Sequence, residues 1–513
     1  MATATRPDST NVVWRRGVTI AIALIGSAGA GLAHAESWLV SPRVTVAETY
    51  SNNMGLTPVL QESGFISNVA PGLRIDGSGA RFNAFLDYRR DYLFYHGNSH
   101  WDREQNLLNS YARLEAVDNW LYVDASANID QRTVSAFGPV SLDSRNASEN
   151  QTEVRTTQIA PFITGRIGAT ADYLVRLNSV DSRSDDATLA DTRVDQLVAS
   201  VRNQPTSGVI GWFGDVSGTD VRNDVIGERY NTRVWGGLIV PLGAHIHVSA
   251  STGRENTNYS SVDRETTSTP GVGVEWSPNH HTQLAALREK RFFGYGHNLV
   301  MAFRTARTAW RYTDTRDATV APVQLAGYNP STVQTLMADL LNIGRSDPFE
   351  RYRVVRSRLD LLGAATDMPS IGGVQTSRSY LERNRIGSVA WLGVRNMLTL
   401  SLHQRDQELL PFSPAASDSF ANSARIRERG TSLAWLYRVT PLTTLNLALI
   451  RLKSDGLDTG AQSSSQNAQS ALLNFRLGPK AVASLGLRRS RFVNSASGTV
   501  EEDAVAGSLT QSF

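Results

Sequence analysis

Few residues in this chain stand at spacings that could do chemistry. His245 and His247 alternate with Ile246 and Val248, so on a strand both imidazoles project from one face. Two histidines at that spacing can ligate a metal, but no third donor stands nearby, and polar histidines lining a hydrated interior are the favoured reading. His280-His281 falls on a turn. Gly211, Gly214 and Gly218, around Trp212 and Phe213, form no phosphate loop because no helix pattern follows them. No Gly-x-Ser-x-Gly elbow or His-Glu-x-x-His helix occurs. With no cysteine among 513 residues, thiolate nucleophiles, cysteine-held metals and disulfides are excluded. The nine histidines offer no convergent constellation. The expectation is a non-enzymatic chain without catalytic residues, metal or cofactor.

What remains is charge, and its placement depends on the elements that carry it. Leu108, Ser110, Ala112, Leu114 and Ala116 alternate with Asn109, Tyr111, Arg113 and Glu115. After the turn Val117-Asp118-Asn119-Trp120, Leu121, Val123, Ala125, Ala127 and Ile129 alternate with Tyr122, Asp124, Ser126, Asn128 and Asp130. Upstream, Ala80, Phe82, Ala84, Leu86 and Tyr88 alternate with Arg81, Asn83, Phe85, Asp87 and Arg89, and Tyr92 with Phe94 extends the apolar face into an aromatic girdle. Each strand has one apolar and one polar face. A soluble sandwich would hide the apolar faces behind a second sheet, whereas a barrel in lipid turns them outward. A lipid-facing arginine near mid-membrane costs about 2–4 kcal/mol, so Arg81, Asp87, Arg89, Arg113, Glu115, Asp124, Asp130, His245 and His247 are expected to face the lumen. There the charges either interlock as cross-strand ion pairs or line a hydrated path for a polar substrate.

The N-terminus reads as an export signal. Arg15 and Arg16 precede the uncharged run Gly17 to Leu32, and Ala33-His34-Ala35 supplies a small-residue cleavage site. Residues 1–35 are therefore a signal peptide and 36–513 the mature domain, in which no uncharged apolar run is long enough to span a bilayer as a helix. The formal charge of +3 is no footprint for nucleic acid. Turn residues recur at Asp76-Gly77-Ser78-Gly79, Gly168-Ala169-Thr170, Asn203 to Gly208, Pro241-Leu242-Gly243, Ser277-Pro278-Asn279, Gly393-Val394-Arg395, Thr440-Pro441-Leu442 and Gly478-Pro479-Lys480. Long polar stretches lie between them, at Thr133 to Glu153, Arg254 to Thr269, Gln404 to Ala424 and Ser454 to Gln466.

The pattern predicts an all-β transmembrane antiparallel barrel of about 18–22 strands, with weak strands near Val194, Val209 and Arg351. The first strand lies near Arg43 to Tyr50, and the last, Asp503 to Phe513, ends on the aromatic that delivers barrels to their assembly machinery. An even count places both termini in the periplasm. One segment is not strand-like. After Asn329-Pro330, Ser331 to Leu341 sets Val333, Leu336, Met337, Leu340 and Leu341 at helical spacing, predicting one short amphipathic helix. The strand count puts it in a long periplasmic connection, as a plug or a docking element.

Arg291-Phe292-Phe293-Gly294, Arg304-Thr305-Ala306-Arg307-Thr308-Ala309-Trp310, Asn68-Val69-Ala70-Pro71-Gly72-Leu73, the Leu107 to Ile129 hairpin and the mid-chain helix together resemble the outer-membrane proteins associated with the PEP-CTERM/exosortase sorting system. The resemblance implies an outer-membrane location beside exopolysaccharide production, and supplies no catalytic residues. Expected partners are outer-membrane lipid, the barrel assembly machinery, exopolysaccharide and periplasmic export components. A general diffusion porin is the alternative, and a barrel-embedded hydrolase the next.

Overall fold

A computed structural model describes residues 37–513 except 187–188, 204–208, 224–226, 262, 321–330, 342–347, 363–375, 377, 412–418 and 422. The signal peptide, Glu36 and Asn329-Pro330 lie outside the described residues.

The strand segments are β1 (Ser37–Ser51), β2 (Gly64–Ser78), β3 (Phe82–Tyr95), β4 (Arg103–Val117), β5 (Leu121–Thr133), β6 (Gln151–Ile167), β7 (Ala171–Ser184) and β8 (Thr192–Asn203). They continue with β9 (Gly211–Asn223), β10 (Gly227–Pro241), β11 (Ile246–Thr257), β12 (Glu265–Ser268), β13 (Gly271–Asn279), β14 (Thr282–Arg291), β15 (Gly294–Arg304) and β16 (Thr308–Val320). After two helices, α1 (Thr332–Leu340) and α2 (Pro348–Leu362), come β17 (Ser379–Leu392), β18 (Asn396–Leu409), β19 (Arg425–Thr440), β20 (Thr443–Gly456), β21 (Ser463–Arg476), β22 (Ala481–Asn494) and β23 (Gly498–Ser512). Apart from β12 and β13, consecutive strands pair antiparallel, and β1 pairs with β23 from Arg43↔Ser512 to Ser51↔Ala504. Both β12 and β13 pair with β11, making one interrupted strand, so the barrel closes with 22 strands. Closure leaves no open edge.

Alternation decides which way each side chain points. On β1, Ala47, Thr49 and Ser51 are buried while Val46, Glu48 and Tyr50 are exposed on the outer face. On β5, Asp124 and Ser126 are buried on the inner face. The outer face carries an apolar belt, and Trp38, Trp120, Trp212, Trp276, Trp310, Trp391 and Trp435 are all exposed near the same end of the barrel. That end also holds the two-to-seven-residue turns and both ends of the closed sheet. Asn119 takes φ 53 in one of these turns, a left-handed conformation that asparagine tolerates better than most residues. Eight of the nine predicted turns fall at this tight-turn end and the long polar stretches at the other; of the ninth, Asn203 to Gly208, residues 204–208 lie outside the described residues.

Four expectations change. The segment near Arg351 is helix α2, not a strand: Arg351/Arg353 and Arg356/Arg358 are each two apart as on a strand, but Val355 and Leu359, four apart, are the residues that bury. Val209 lies in a turn ahead of β9. The connection that carries the helices leaves β16 and enters β17 at the long-loop end, not at the periplasmic side expected from the strand count, because an odd number of barrel strands, fifteen with β12 and β13 taken as one, precedes it. There are two helices in it, not one.

Candidate functional site

The inner wall over β2 to β8 is charged and interlocked. Asp124 accepts from Arg113 Nε at 2.7 Å and Nη2 at 3.0 Å, and from Arg176 Nη2 at 2.8 Å. Both guanidinium groups lie over the Phe162 ring, at 5.4 and 4.3 Å, and that ring stacks on Tyr122 at 5.0 Å. Arg89 pairs with Asp91 at 3.0 Å, Arg132 with Asp130 at 2.7 Å, and Arg81 with Asp118 in a rim turn. Glu115 accepts from the Tyr122 hydroxyl at 3.3 Å and from the Asn119 amide. His247 shares the inner-face parity of β11, opposite Pro241 and Glu275, whereas His245 stands just outside the strand, exposed, with Nδ1 3.1 Å from the Ser277 carbonyl oxygen. Among the described residues no three His, Asp or Glu groups gather as metal ligands.

Two segments fold from the long-loop end into this lumen. Residues 134–150, joining β5 to β6, cross to the wall formed by β21 to β23. There the Val140 amide donates to Gln466 Oε1 at 3.0 Å, Asn494 Nδ2 donates to the Phe137 carbonyl at 2.6 Å, and Arg488 Nη1 donates to Asp143 at 2.9 Å. Arg488 Nη2 also donates to Glu502 at 2.7 Å, and Asn146 Nδ2 reaches the same carboxylate at 2.7 Å. Gln105 on β4 donates to the Ser144 carbonyl at 2.9 Å, so the crossing is tied on both sides. Burial alone would raise the Asp143 carboxyl, but the guanidinium groups of Arg145 and Arg488 outweigh it and hold it far below the usual carboxylate range.

The second segment reaches deeper. Ser331 caps α1 in a capping box with Gln334. Leu336 and Met337, both 0% exposed, bury against the wall beside their own connection: Leu336 against Ala309 and Ala390, Met337 in a cluster with Met397 and Leu436. Val333, Leu340 and Leu341 are half-buried at the edges of these clusters. All four wall residues stand near the tight-turn ends of β16 to β19. Asp339 is held by Arg311 Nε at 3.0 Å. Val355 and Leu359 of α2 pack in the Met337 cluster, and Arg356 reaches Asp87 on β3 at 3.1 Å, where Arg43 of β1 also pairs. From β17 to β3 is nearly half the circumference, so the helix pair spans the lumen. Between the two segments, against β18 to β23, lies a cavity of about 230 Å³ lined by Leu142, Val333, Leu436, Ala448 and Ile450 among others.

No family model matches the chain, and no curated protein matches it. Among solved structures it is similar to the FrpB iron transporter of Neisseria meningitidis in its apoprotein form, at 10% identity, covering 92% of this chain and 81% of that one with a TM-score of 0.47. It is also similar to the siderophore receptor PirA of Pseudomonas aeruginosa, at 8% identity, 92% and 80% coverage and TM-score 0.43. A third is OccK2 (OpdF) of Pseudomonas aeruginosa, at 9% identity, 93% and 99% coverage and TM-score 0.36. A closed antiparallel barrel with an outward apolar belt, a tryptophan girdle and charge inside has one stable setting. The chain is an outer-membrane β-barrel. Its tight-turn end faces the periplasm and its long-loop end the cell surface, and lipid and the general barrel assembly machinery are its obligatory surroundings.

Sequence reasoning did not single out Arg233, Glu255 and Glu289, and named Arg291 only within a resemblance motif; the four form a buried inner-face cluster in which Arg291 holds Glu255 at 2.7 Å and Glu289 at 3.3 Å. Strand parity could have found them, as it could Arg488 and Glu502. Asp143 and Arg356 lie outside the strands, and no periodicity points to them.

Proposed function

We propose that this barrel is a gated, non-enzymatic conduit serving export or surface organisation of an exopolysaccharide in a PEP-CTERM/exosortase-type envelope system. The observation that carries the reading is the lumen filled by its own chain, with α1 seated at the periplasmic mouth and Arg356 reaching across to Asp87. A general diffusion porin needs a standing aqueous path, and a filled lumen disfavours it. The inner wall supports a sugar rather than an apolar cargo: Tyr122 and Phe162 lie among Arg113, Asp124, Gln158 and Arg176, offering ring faces beside hydrogen-bonding groups. Exopolysaccharide and periplasmic export components are the partners on this reading.

The test removes residues 331–362 and measures two things. In planar bilayers the full chain is expected to be closed or erratic and the deletion to conduct steadily; in cells, polymer secretion is expected to change. Steady conductance by the full chain, together with unchanged polymer in the deletion strain, would overturn the proposal.

A further inference from the structure

We propose that the outer wall of β19 to β22, directly above its apolar belt, binds the phosphate groups of a phosphorylated glycolipid in the cell-surface leaflet. On the outer face, Arg429 of β19 stands directly opposite Lys453 of β20, and Arg451 stands opposite Thr431 on one side and Asn467 on the other. Asn467 in turn pairs with Arg491, and Gln469 with Arg489. All five cations are exposed. Like charges directly across a strand pair repel, so a bare Arg429–Lys453 pair is unfavourable and an anion bound between them relieves it.

Three carboxylates answer part of this charge: Asp455 on Lys453 at 2.8 Å, Glu501 on Arg491 at 3.2 Å and Asp503 on Arg489 at 3.6 Å. Among the described residues Arg429 and Arg451 have no carboxylate within ion-pair distance. The face over β3 to β8 differs, since there Arg90, Arg155, Arg183 and Arg193 each pair with Glu or Asp. Arg254 of β11 and Arg288 and Lys290 of β14 are also exposed on the outer face without an ion pair among the described residues, but only over β19 to β22 do five cations stand together with like charges directly opposed.

The ligand class follows from what lies beneath. Toward the periplasm the same outer face continues as Leu433, Trp435, Leu447, Leu449, Leu485 and Leu487, a surface that acyl chains must cover. One molecule with acyl chains below and phosphates above meets both requirements, and it lies on the side of the long loops. Guanidinium groups are suited to it because they bind phosphate oxygens in a bidentate fork.

The full chain is reconstituted in phosphatidylethanolamine bilayers with or without a diphosphorylated glucosamine lipid, and retained lipid is measured by mass spectrometry after detergent extraction. The wild type is expected to retain the phosphorylated lipid at least tenfold more than the Arg429→Ser, Arg451→Ser, Lys453→Ser triple variant. The enzymatically dephosphorylated lipid, tested on the wild type and so independent of any folding defect, is expected to be retained no better than by that variant. Equal retention of phosphorylated and dephosphorylated lipid, or equal retention by wild type and triple variant, would overturn the proposal. Inorganic phosphate at millimolar concentration displacing the glycolipid completely would also overturn it, since it would mark a free-anion site.

Discussion

The two segments that enter the lumen are held by opposite physics. Residues 134–150 are tied to the β21–β23 wall by hydrogen bonds and ion pairs that converge on Arg488, while their buried apolar residues are only Ala136 and Phe137, against Tyr380, Phe420 and Ile426. The helix pair is held by apolar burial of Leu336, Met337, Val355 and Leu359, with Arg311–Asp339 and Arg356–Asp87 as accessories. Apolar packing is non-directional and tolerates small displacements, whereas a buried ion-pair network holds one geometry and is lost sharply when a member is removed. The difference assigns the periplasmic mouth a stable seat and the cell-surface mouth a latch.

Because the chain has no cysteine, a single introduced cysteine reports opening by its rate of labelling from solvent, with Ala338→Cys for the helix pair and Ser141→Cys for the crossing loop. The largest effect is expected from Leu336→Ala combined with Met337→Ala. Truncating each buried side chain costs about 2–5 kcal/mol, so at least about 4 kcal/mol is lost and labelling at position 338 should rise by roughly a thousandfold. Labelling at position 141 should stay unchanged. Equal acceleration at both positions would show that the segments open as one unit and erase the contrast.

Next in size is Arg488→Gln. Removing one partner of a buried ion pair costs about 3–5 kcal/mol, and because Asp143 keeps Arg145 the lower end applies. Labelling at position 141 should rise about a hundredfold and that at position 338 should not move. A variant that labels like the wild type at both positions would show that the backbone bonds from Gln466, Asn494 and Gln105 suffice to hold the loop.

How legible this was follows from which residues obey a period. The strands, turns and outward face followed from alternation, because in a barrel every second side chain has no choice of environment. Helix α1 was legible from Val333, Leu336, Met337, Leu340 and Leu341, whose spacing matches the face that packs. Helix α2 was not, since its pairs Arg351/Arg353 and Arg356/Arg358 are each spaced as on a strand and only Val355 and Leu359 reveal the helix. The side of the membrane also depended on the strand count, which one interrupted strand, β12 with β13, could shift. Finding that both segments fold inward needed contacts more than 250 residues apart, such as Arg356 to Asp87 and Asp143 to Arg488, and nothing local in sequence encodes those pairings. The structure also shows Asp124 bound by two arginines, so Asp124→Arg would place three cations together rather than decorate a hydrated lumen.

A smaller effect is expected at the far end of α2. Arg356→Gln removes one charge-assisted contact to Asp87, which keeps Arg43, so the loss is about 1–2 kcal/mol. Labelling at position 338 should rise no more than about tenfold, because α1 keeps its own seat. In bilayers the variant is expected to flicker between closed and brief open states. An effect as large as that of the Leu336→Ala, Met337→Ala pair would mean that the bridge across the lumen, rather than the apolar wall, carries the plug.

The smallest effect, and the one that isolates the latch without mutation, is pH. The Asp143 carboxyl titrates below its unfolded value because Arg145 and Arg488 stabilise its charge against the cost of burial. A depressed carboxylate contributes stability that is fully present above the unfolded value of about 3.9 and is lost as pH falls toward the folded one. Between pH 8 and pH 5 labelling at position 141, corrected for thiol ionisation, should therefore be flat, and below about pH 4 it should climb. The helix seat, built on Leu336 and Met337, has no titrating group at its centre, so labelling at position 338 should show the shallower dependence. A rise at position 141 already between pH 7 and pH 5 would show that a histidine or another weak acid, and not Asp143, governs the loop.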